Sequence, residues 1–202
     1  MAEPRGKRRR SSLPSCPAHP SPAGSGVKQN FPPLVEEGLC GVTGALLELS
    51  YKLQALAEVF DRSQVTLPRV AKFFWDQAKE EQEAAEAMLK CQRQRGGCYC
   101  PQTIQKPSCE NVHNVVNALE MALGQWRTVT GYLEELHALS VESSDPHTAS
   151  TIKKKFIEPK FLKIKLTADL LTNAHRLDCV QDGESNFGEY LIDQLQEELT
   201  KA

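Results

Sequence analysis

The fold is decided by residues 72–97, KFFWDQAKEEQEAAEAMLKCQRQRGG. This stretch contains no Pro, and its only Gly residues are the final pair, so it predicts one long helix closed by a Gly-Gly stop. Positions spaced three and four apart predict its buried face, which comprises Val70, Phe74, Gln77, Glu81, Ala84 and Met88. A second, acidic stripe lies within about 120° on the same helix and consists of Asp76, Glu80, Glu83 and Glu86.

Four further helices are predicted around it, at residues 32–60, 111–142, 146–177 and 185–199. The first has a regular apolar seam, formed by Val35, Leu39, Val42, Leu46, Leu49, Leu53, Leu56 and Phe60. In the fourth long helix the seam is predicted at Ile157, Lys160, Ile164, Ala168 and Leu171. Pro159 lies inside that helix and is expected to kink it. These patterns predict an all-α fold, namely a four-helix bundle with one long crossover and a short fifth C-terminal helix.

Residues 1–30 differ in composition from the rest of the chain. They hold six Lys and Arg against one acid, whereas the other 172 residues hold 18 basic and 25 acidic groups. A segment so rich in Pro, Ser and Arg cannot bury enough apolar surface to offset the entropy of ordering. We therefore expect a disordered leader at 1–30 and a single bundle domain at 31–202.

The sequence does not decide the cellular location of the protein. Lys7-Arg8-Arg9-Arg10 is compatible with a nuclear localisation signal, and the Arg-rich leader as a whole is compatible with a mitochondrial presequence. The same residues are also compatible with a solvated tail that carries no targeting signal. No apolar run long enough for a membrane span or a secretory signal is visible, and we expect a cytoplasmic protein. The acidic body gives no indication of nucleic-acid binding.

Short motifs along residues 30–200 resemble those of the ferritin family. They are Phe60-Asp61-Arg62, Glu80-Glu81-x-Glu83, Gln92-x-Gln94-Arg95-Gly96-Gly97, Lys106-Pro107-x-Cys109, Leu133-x-Glu135-Leu136-His137, Asp145-Pro146-His147, Leu171-Thr172-Asn173 and Gly188-Glu189-Tyr190-Leu191. The resemblance implies an iron-storage subunit of a hollow shell of 24 ferritin-type subunits, either all alike or mixed. It also implies ferric iron as the stored ion.

Heavy-type ferritins oxidise ferrous iron at a di-iron centre, and the resemblance places six side chains of that centre on this chain. The six positions hold Leu46, Leu53, Glu81, Ala84, Trp126 and Lys160. Only Glu81 keeps the oxygen donor that iron requires, so the resemblance implies a subunit that is not an enzyme. Because an isolated buried carboxylate is costly, we predict that Lys160 pairs with Glu81.

Light-type ferritins lack that centre and promote mineral growth from an acidic patch on the inner wall of the shell. The acidic stripe falls at or next to that patch. Together with Glu81, the stripe residues Asp76, Glu80, Glu83 and Glu86 are the predicted metal-binding set. The alternative is that the stripe is only a solvated helix face.

Other features favour a different function. Ser150 and Lys153 occupy positions where ferritins carry acids at the three-fold pore, and Lys154 and Lys155 follow. Lysines there would repel ferrous ions, and mixed shells with heavy-type partners would avoid the defect. The alternative function is a degenerate ferritin-fold scaffold or regulatory partner without an iron function.

A group of thiols gathers at the end of the second helix and in the crossover. It comprises Cys91, Cys98, Cys100 and Cys109, with His113 nearby. Such ligands bind zinc, but the spacing matches no paired C-x₂-C framework. Incidental reduced thiols are the favoured interpretation and zinc the alternative.

Overall fold

The structure, a computed structural model, describes residues 12–14, 16, 26–109, 112, 114–177 and 186–199. Its helices are α1 (Pro33–Asp61), α2 (Pro68–Gln94), α3 (Val115–Glu142), α4 (Pro146–Ile152), α5 (Glu158–Arg176) and α6 (Asn186–Leu199). Within these described ranges there is no strand, and no helix has the length and apolar character needed to cross a membrane. The predicted all-α class is confirmed.

The helices pack as a bundle around one apolar core. α1 lies along α2, α3 contacts both α1 and α5, and the short α6 packs against α2 and α5. The predicted α1 seam is buried along its whole length, from Val35 to Phe60. Its regular spacing of three and four residues keeps one face of α1 turned towards the core over about seven turns of helix.

The ends of the helices follow local sequence signals. Gly96 adopts a positive φ of 74° at the end of α2, and the N–H of Gly97 donates to the carbonyl of Gln92 at 2.9 Å. This is the predicted Gly-Gly stop, since glycine tolerates the left-handed conformation that ends a helix. At the start of α3, the side chain of Asn114 accepts from the N–H of Asn117 at 2.8 Å, which caps the helix.

The fourth long helix is not continuous. A π-helical turn, Lys153–Ile157, joins α4 to α5, and the N–H of Glu158 donates to the carbonyl of Lys153, five residues back. Pro159 has no N–H to donate, so the regular ladder must change next to it. A kink was predicted at Pro159, and the structure has a π-helical turn immediately before that residue.

The predicted seam of this helix is wrong beyond Lys160. Ile164, Ala168 and Leu171 are only half-buried, and the buried positions of α5 are Lys160, Thr167, Leu170 and Ala174. The spacing is still close to that of a regular helix, but the inward face is displaced by about one residue. As a consequence Lys163 lies near the bundle interior, where the sequence pattern did not place it.

Part of the leader contacts the bundle. Residues 12–14 and 16 lie against α1 and α3, and Cys16 is 3% exposed. These contacts differ from the expected disorder of the leader. The basic run at residues 7–10 lies outside the described residues, and the division into a leader and a bundle stays a prediction.

Candidate metal centre

A buried carboxylate, that of Glu81 of α2, lies at the centre of the bundle and is 0% exposed. Lys160 of α5 donates to its Oε2. Lys163 of α5 donates to Oε1 at 2.8 Å, and the indole N–H of Trp126 on α3 donates to the same oxygen at 3.0 Å. The predicted pairing of Glu81 with Lys160 is therefore confirmed, and two further donors join it.

The donors are held in place by packing and by each other. Trp126 is fully buried, and Lys160 is 5% exposed. The ammonium of Lys163 lies 5.6 Å from the centre of the Trp126 ring, within the range of a cation–π contact. Trp126 thus contributes both a hydrogen bond to the anion and a ring face to one of the cations.

The electrostatics of this cluster follow from two ammonium groups sharing one buried carboxylate. Burial opposes the ionisation of Glu81, but the charges and hydrogen bonds of Lys160 and Lys163 outweigh it, so the pKa of this carboxyl lies below its usual value of 4.5. Burial, aided by the charge of Lys163, lowers the pKa of Lys160 from 10.5 even though Glu81 favours the charged form. The cluster thus favours the charged form of Glu81 and disfavours the charged form of Lys160.

The remaining positions of the six do not offer metal ligands. Leu46 and Leu53 of α1 are fully buried apolar side chains, and Ala84 is half-buried. Trp126 and Lys160 carry only donors, which cannot coordinate a cation. The one carboxylate left at this site already has hydrogen-bond partners on both oxygens.

The acidic stripe of Asp76, Glu80, Glu83 and Glu86 lies on the other face of α2, and all four residues are exposed. Among the described residues, lysines approach two of the four. Lys163 contacts Glu80 at 2.8 Å, and Lys79 lies 4.0 Å from Glu83. Glu81 points away from this stripe into the core, so the structure divides the predicted metal-binding set into four exposed carboxylates and one buried carboxylate.

The stripe forms an open surface. In the part of the chain that the structure describes, no three His, Cys, Asp or Glu side chains converge closely enough to enclose a metal ion. A cavity of about 370 Å³ adjoins the stripe between α2 and α5. Its charged lining is mixed and consists of Arg69, Lys72, Asp76, Glu80 and Lys163.

The predicted pore residues are on the outside of the chain. Ser150, at the end of α4, and Lys153, Lys154 and Lys155, on the π-helical turn, are all exposed. The π-helical turn presents the three consecutive lysines while burying Phe156 and Ile157 behind them. A concentrated positive charge at this surface is the physical result.

The thiols of the crossover are arranged differently from the predicted group. The N–H of Cys100 donates to the sulfur of Cys40 on α1 at 3.2 Å. Burial, together with a hydrogen bond between its thiol and Cys16, raises the pKa of Cys40 to about 12. Cys100 thus lies beside Cys40 and Cys16, neither of which belonged to the predicted zinc set, and His113 lies outside the described residues.

Two contacts of Glu81 were not predicted from the sequence, namely those with Lys163 and with the indole N–H of Trp126. The spacing of Lys160 and Lys163 was a usable signal, since residues three apart share a helix face. The shift of the buried face of α5 by about one residue could not be predicted from that spacing alone. For Trp126, burial of an indole in a core implies a partner for its N–H, and Glu81 was the available acceptor.

Comparison with known proteins agrees with this architecture. The ferritin family model, described as a ferritin-like domain, matches residues 42–177. The chain is 37% identical over 171 residues to the ferritin light chain of Oryctolagus cuniculus, covering 85% of this chain and 96% of the relative. It is 34% identical over 170 residues to the ferritin middle subunit of Aquarana catesbeiana, covering 84% and 95% of the two chains. It is 31% identical over 173 residues to the oocyte isoform of the ferritin light chain of Xenopus laevis, covering 86% and 96%. On these matches and on its helical bundle, the chain belongs to the ferritin family.

Proposed function

We propose that this chain is an iron-storage subunit that does not itself oxidise ferrous iron. The observation that carries the proposal is the carboxylate of Glu81, held by Lys160, Lys163 and Trp126 at the centre of the bundle. A di-iron centre needs several oxygen and nitrogen donors that converge from different helices. Here the converging groups are two cations and an indole N–H, which stabilise an anion and repel a metal ion.

The stored iron is ferric, and its proposed binding surface is the acidic stripe. Asp76, Glu80, Glu83 and Glu86 are exposed on one face of α2. Carboxylate oxygens suit hard cations, and an open row of them holds hydrated ferric ions without a closed cage. Glu81 has no place in this surface because it faces the core and its two oxygens are occupied.

The lysines near the stripe set the strength of this surface. Lys163 and Lys79 approach Glu80 and Glu83, so part of the negative charge is compensated before any iron binds. Lys153, Lys154 and Lys155 add positive charge where iron is expected to enter. We therefore propose slow filling by this chain alone and faster filling in mixed shells, in which a ferritin subunit with an intact oxidation centre supplies ferric iron.

The experiment measures iron retained by such mixed shells. Asp76, Glu80, Glu83 and Glu86 are changed together to Ala, and the matched control changes four exposed acids on α1 and α3, namely Glu37, Glu58, Glu134 and Glu142. The proposal predicts that iron retained per chain falls at least twofold in the stripe variant and stays unchanged in the control. Equal retention in both variants would contradict the role of the stripe.

A second candidate is a scaffold or regulatory partner without an iron function. The exposed lysine cluster of the π-helical turn favours it, because that cluster opposes the entry of cations. Size-exclusion chromatography combined with iron analysis separates the two candidates. A storage subunit elutes in a shell whose iron content exceeds that of a matched shell without this chain, whereas a scaffold elutes without additional iron.

A further inference from the structure

A shallow groove runs along α1 where three glycines are spaced three residues apart. Gly38, Gly41 and Gly44 share one helix face, and two of them are covered by the leader. A Cβ atom added to Gly41 would lie 2.2 Å from the carbonyl oxygen of Pro14, which is closer than any real contact. At Gly38 the added Cβ would lie 2.7 Å from Leu136 of α3 and 3.5 Å, an ordinary contact distance, from Leu13 of the leader. Glycine at position 41 is thus required for the leader backbone to approach α1 this closely.

The leader strap, defined here as residues 12–14 and 16, is fixed at both ends. At one end the N–H of Ser12 donates to both carboxylate oxygens of Glu135 on α3, at 2.9 and 3.0 Å, and the Ser12 hydroxyl donates to the same group. At the other end Cys16 is buried against Cys40 of α1. Ser12 itself is exposed.

We propose that Ser12 is a phosphorylation site whose modification releases the leader strap from the groove between α1 and α3. Arg9 and Arg10 lie three and two residues before Ser12. Serine kinases select substrates partly by charge pattern, and paired arginines at this distance suit a kinase with an acidic substrate groove. The basic run thus has an interpretation that does not depend on targeting.

The chemistry is an ordinary phosphoryl transfer with ATP as the co-substrate. The Ser12 oxygen attacks the γ-phosphorus, the bond from that phosphorus to the β,γ-bridging oxygen breaks, and ADP leaves with the bonding electrons. The hydroxyl proton passes to the catalytic base of the kinase. Because the docked hydroxyl is hydrogen-bonded to Glu135, the kinase acts on chains whose strap is transiently undocked.

Phosphorylation opposes redocking for two electrostatic reasons. The hydroxyl proton that Ser12 donates to Glu135 is lost, and a phosphate of about −1.5 to −2 charge takes its place at pH 7. That charge would lie within contact distance of the Glu135 carboxylate, where like charges repel. Release would uncover Cys16 and Cys40, and would open a cavity of about 270 Å³ that Pro14 now helps to line.

The first test is phosphorylation of the full-length protein with ATP and the catalytic subunit of cyclic-AMP-dependent kinase, followed by peptide mass spectrometry. We expect modification at Ser12 that persists in Ser11→Ala and disappears in Ser12→Ala. Circular dichroism of the phosphorylated protein checks that the bundle remains folded. A Ser12 left unmodified under conditions that fully phosphorylate a control peptide would overturn the assignment.

The second test measures release through thiol protection. Alkylation of Cys16 and Cys40 by iodoacetamide is followed peptide by peptide, with Cys91 on α2 as the internal reference. We expect phosphorylation to accelerate both reactions at least tenfold and to leave Cys91 unchanged. Gly41→Ala, which removes the space for Pro14, supplies the undocked reference. If Cys40 of the phosphorylated protein is alkylated as slowly as in the unmodified protein, the proposed release of the leader strap is wrong.

Discussion

The two faces of α2 carry the same kind of side chain in opposite situations. On the inner face Glu81 is fully buried and contacts two ammonium groups and an indole N–H. On the outer face Asp76, Glu80, Glu83 and Glu86 are exposed, and their charge is only partly balanced by lysine. Neighbours in sequence, Glu80 and Glu81, therefore belong to different chemical environments.

The comparison shows that position on the helix decides what a carboxylate does. A buried anion must have fixed partners, because desolvation without them is too costly. An exposed anion keeps water as its partner and stays available to an incoming ion. Lys163 connects the two faces, since its ammonium lies 2.8 Å from both Glu80 and Glu81.

The largest effect is expected when the inner carboxylate is neutralised. Glu81→Gln leaves Lys160 buried without its anion and leaves Lys163 with only the exposed Glu80, and breaking a buried ion pair costs about 3–5 kcal/mol of unfolding free energy. Urea unfolding followed by circular dichroism, at one fixed protein concentration, measures the loss. Glu83→Gln, on the outer face of the same helix, is the matched control and should stay within about 0.5 kcal/mol of the parent.

The difference in unfolding free energy between the parent and Glu81→Gln should depend on pH. The pKa of Glu81 is lower in the folded chain than its usual value of 4.5, so its contribution is fully present above that value and is lost as the pH falls through the lower, folded-state pKa. The stability gap between the parent and Glu81→Gln should therefore narrow below about pH 4.5. Asp145, whose pKa is also lowered, titrates in both proteins and cancels in the comparison. A gap of constant size down to the acid unfolding of the parent would contradict the ion-pair account.

A smaller effect is expected from Lys163→Met, which acts on both faces at once. Glu81 keeps Lys160 and Trp126, so the expected loss is one charge-assisted hydrogen bond, about 1.5–3 kcal/mol. On the outer face Glu80 loses its counter-ion, and iron retained in mixed shells should rise. Unfolding in urea and iron analysis of the same preparation give both values. If stability falls and retained iron does not change, Lys163 stabilises the core carboxylate but does not weaken iron binding by the stripe.

The sequence predicted those parts of the molecule that local patterns control. The α1 seam, the Gly96-Gly97 stop and the pairing of Glu81 with Lys160 all follow from helix periodicity, glycine conformation and the cost of burying a lone charge. Each of these signals lies within one helix or in one pair of facing seams.

The missed features depend on how elements meet. Lys163 lies inward because the buried face of α5 is shifted by about one residue beyond the π-helical turn. The periodicity within one helix does not predict such a shift. The leader strap was missed because composition was averaged over 30 residues, whereas its contacts depend on a few atoms beside Gly38 and Gly41. For the acidic stripe, the sequence identified the surface, and its role in iron binding stays a prediction.

The central claim, that the core carboxylate is a partner of lysine rather than of iron, is tested most directly by rapid mixing with ferrous iron in air. Two ferrous ions per chain are added to the purified protein, and the appearance of ferric iron is followed by stopped-flow absorbance. The expected rate is no faster than that of iron in the same buffer without the protein. A fast phase that consumes about two ferrous ions per chain would contradict it.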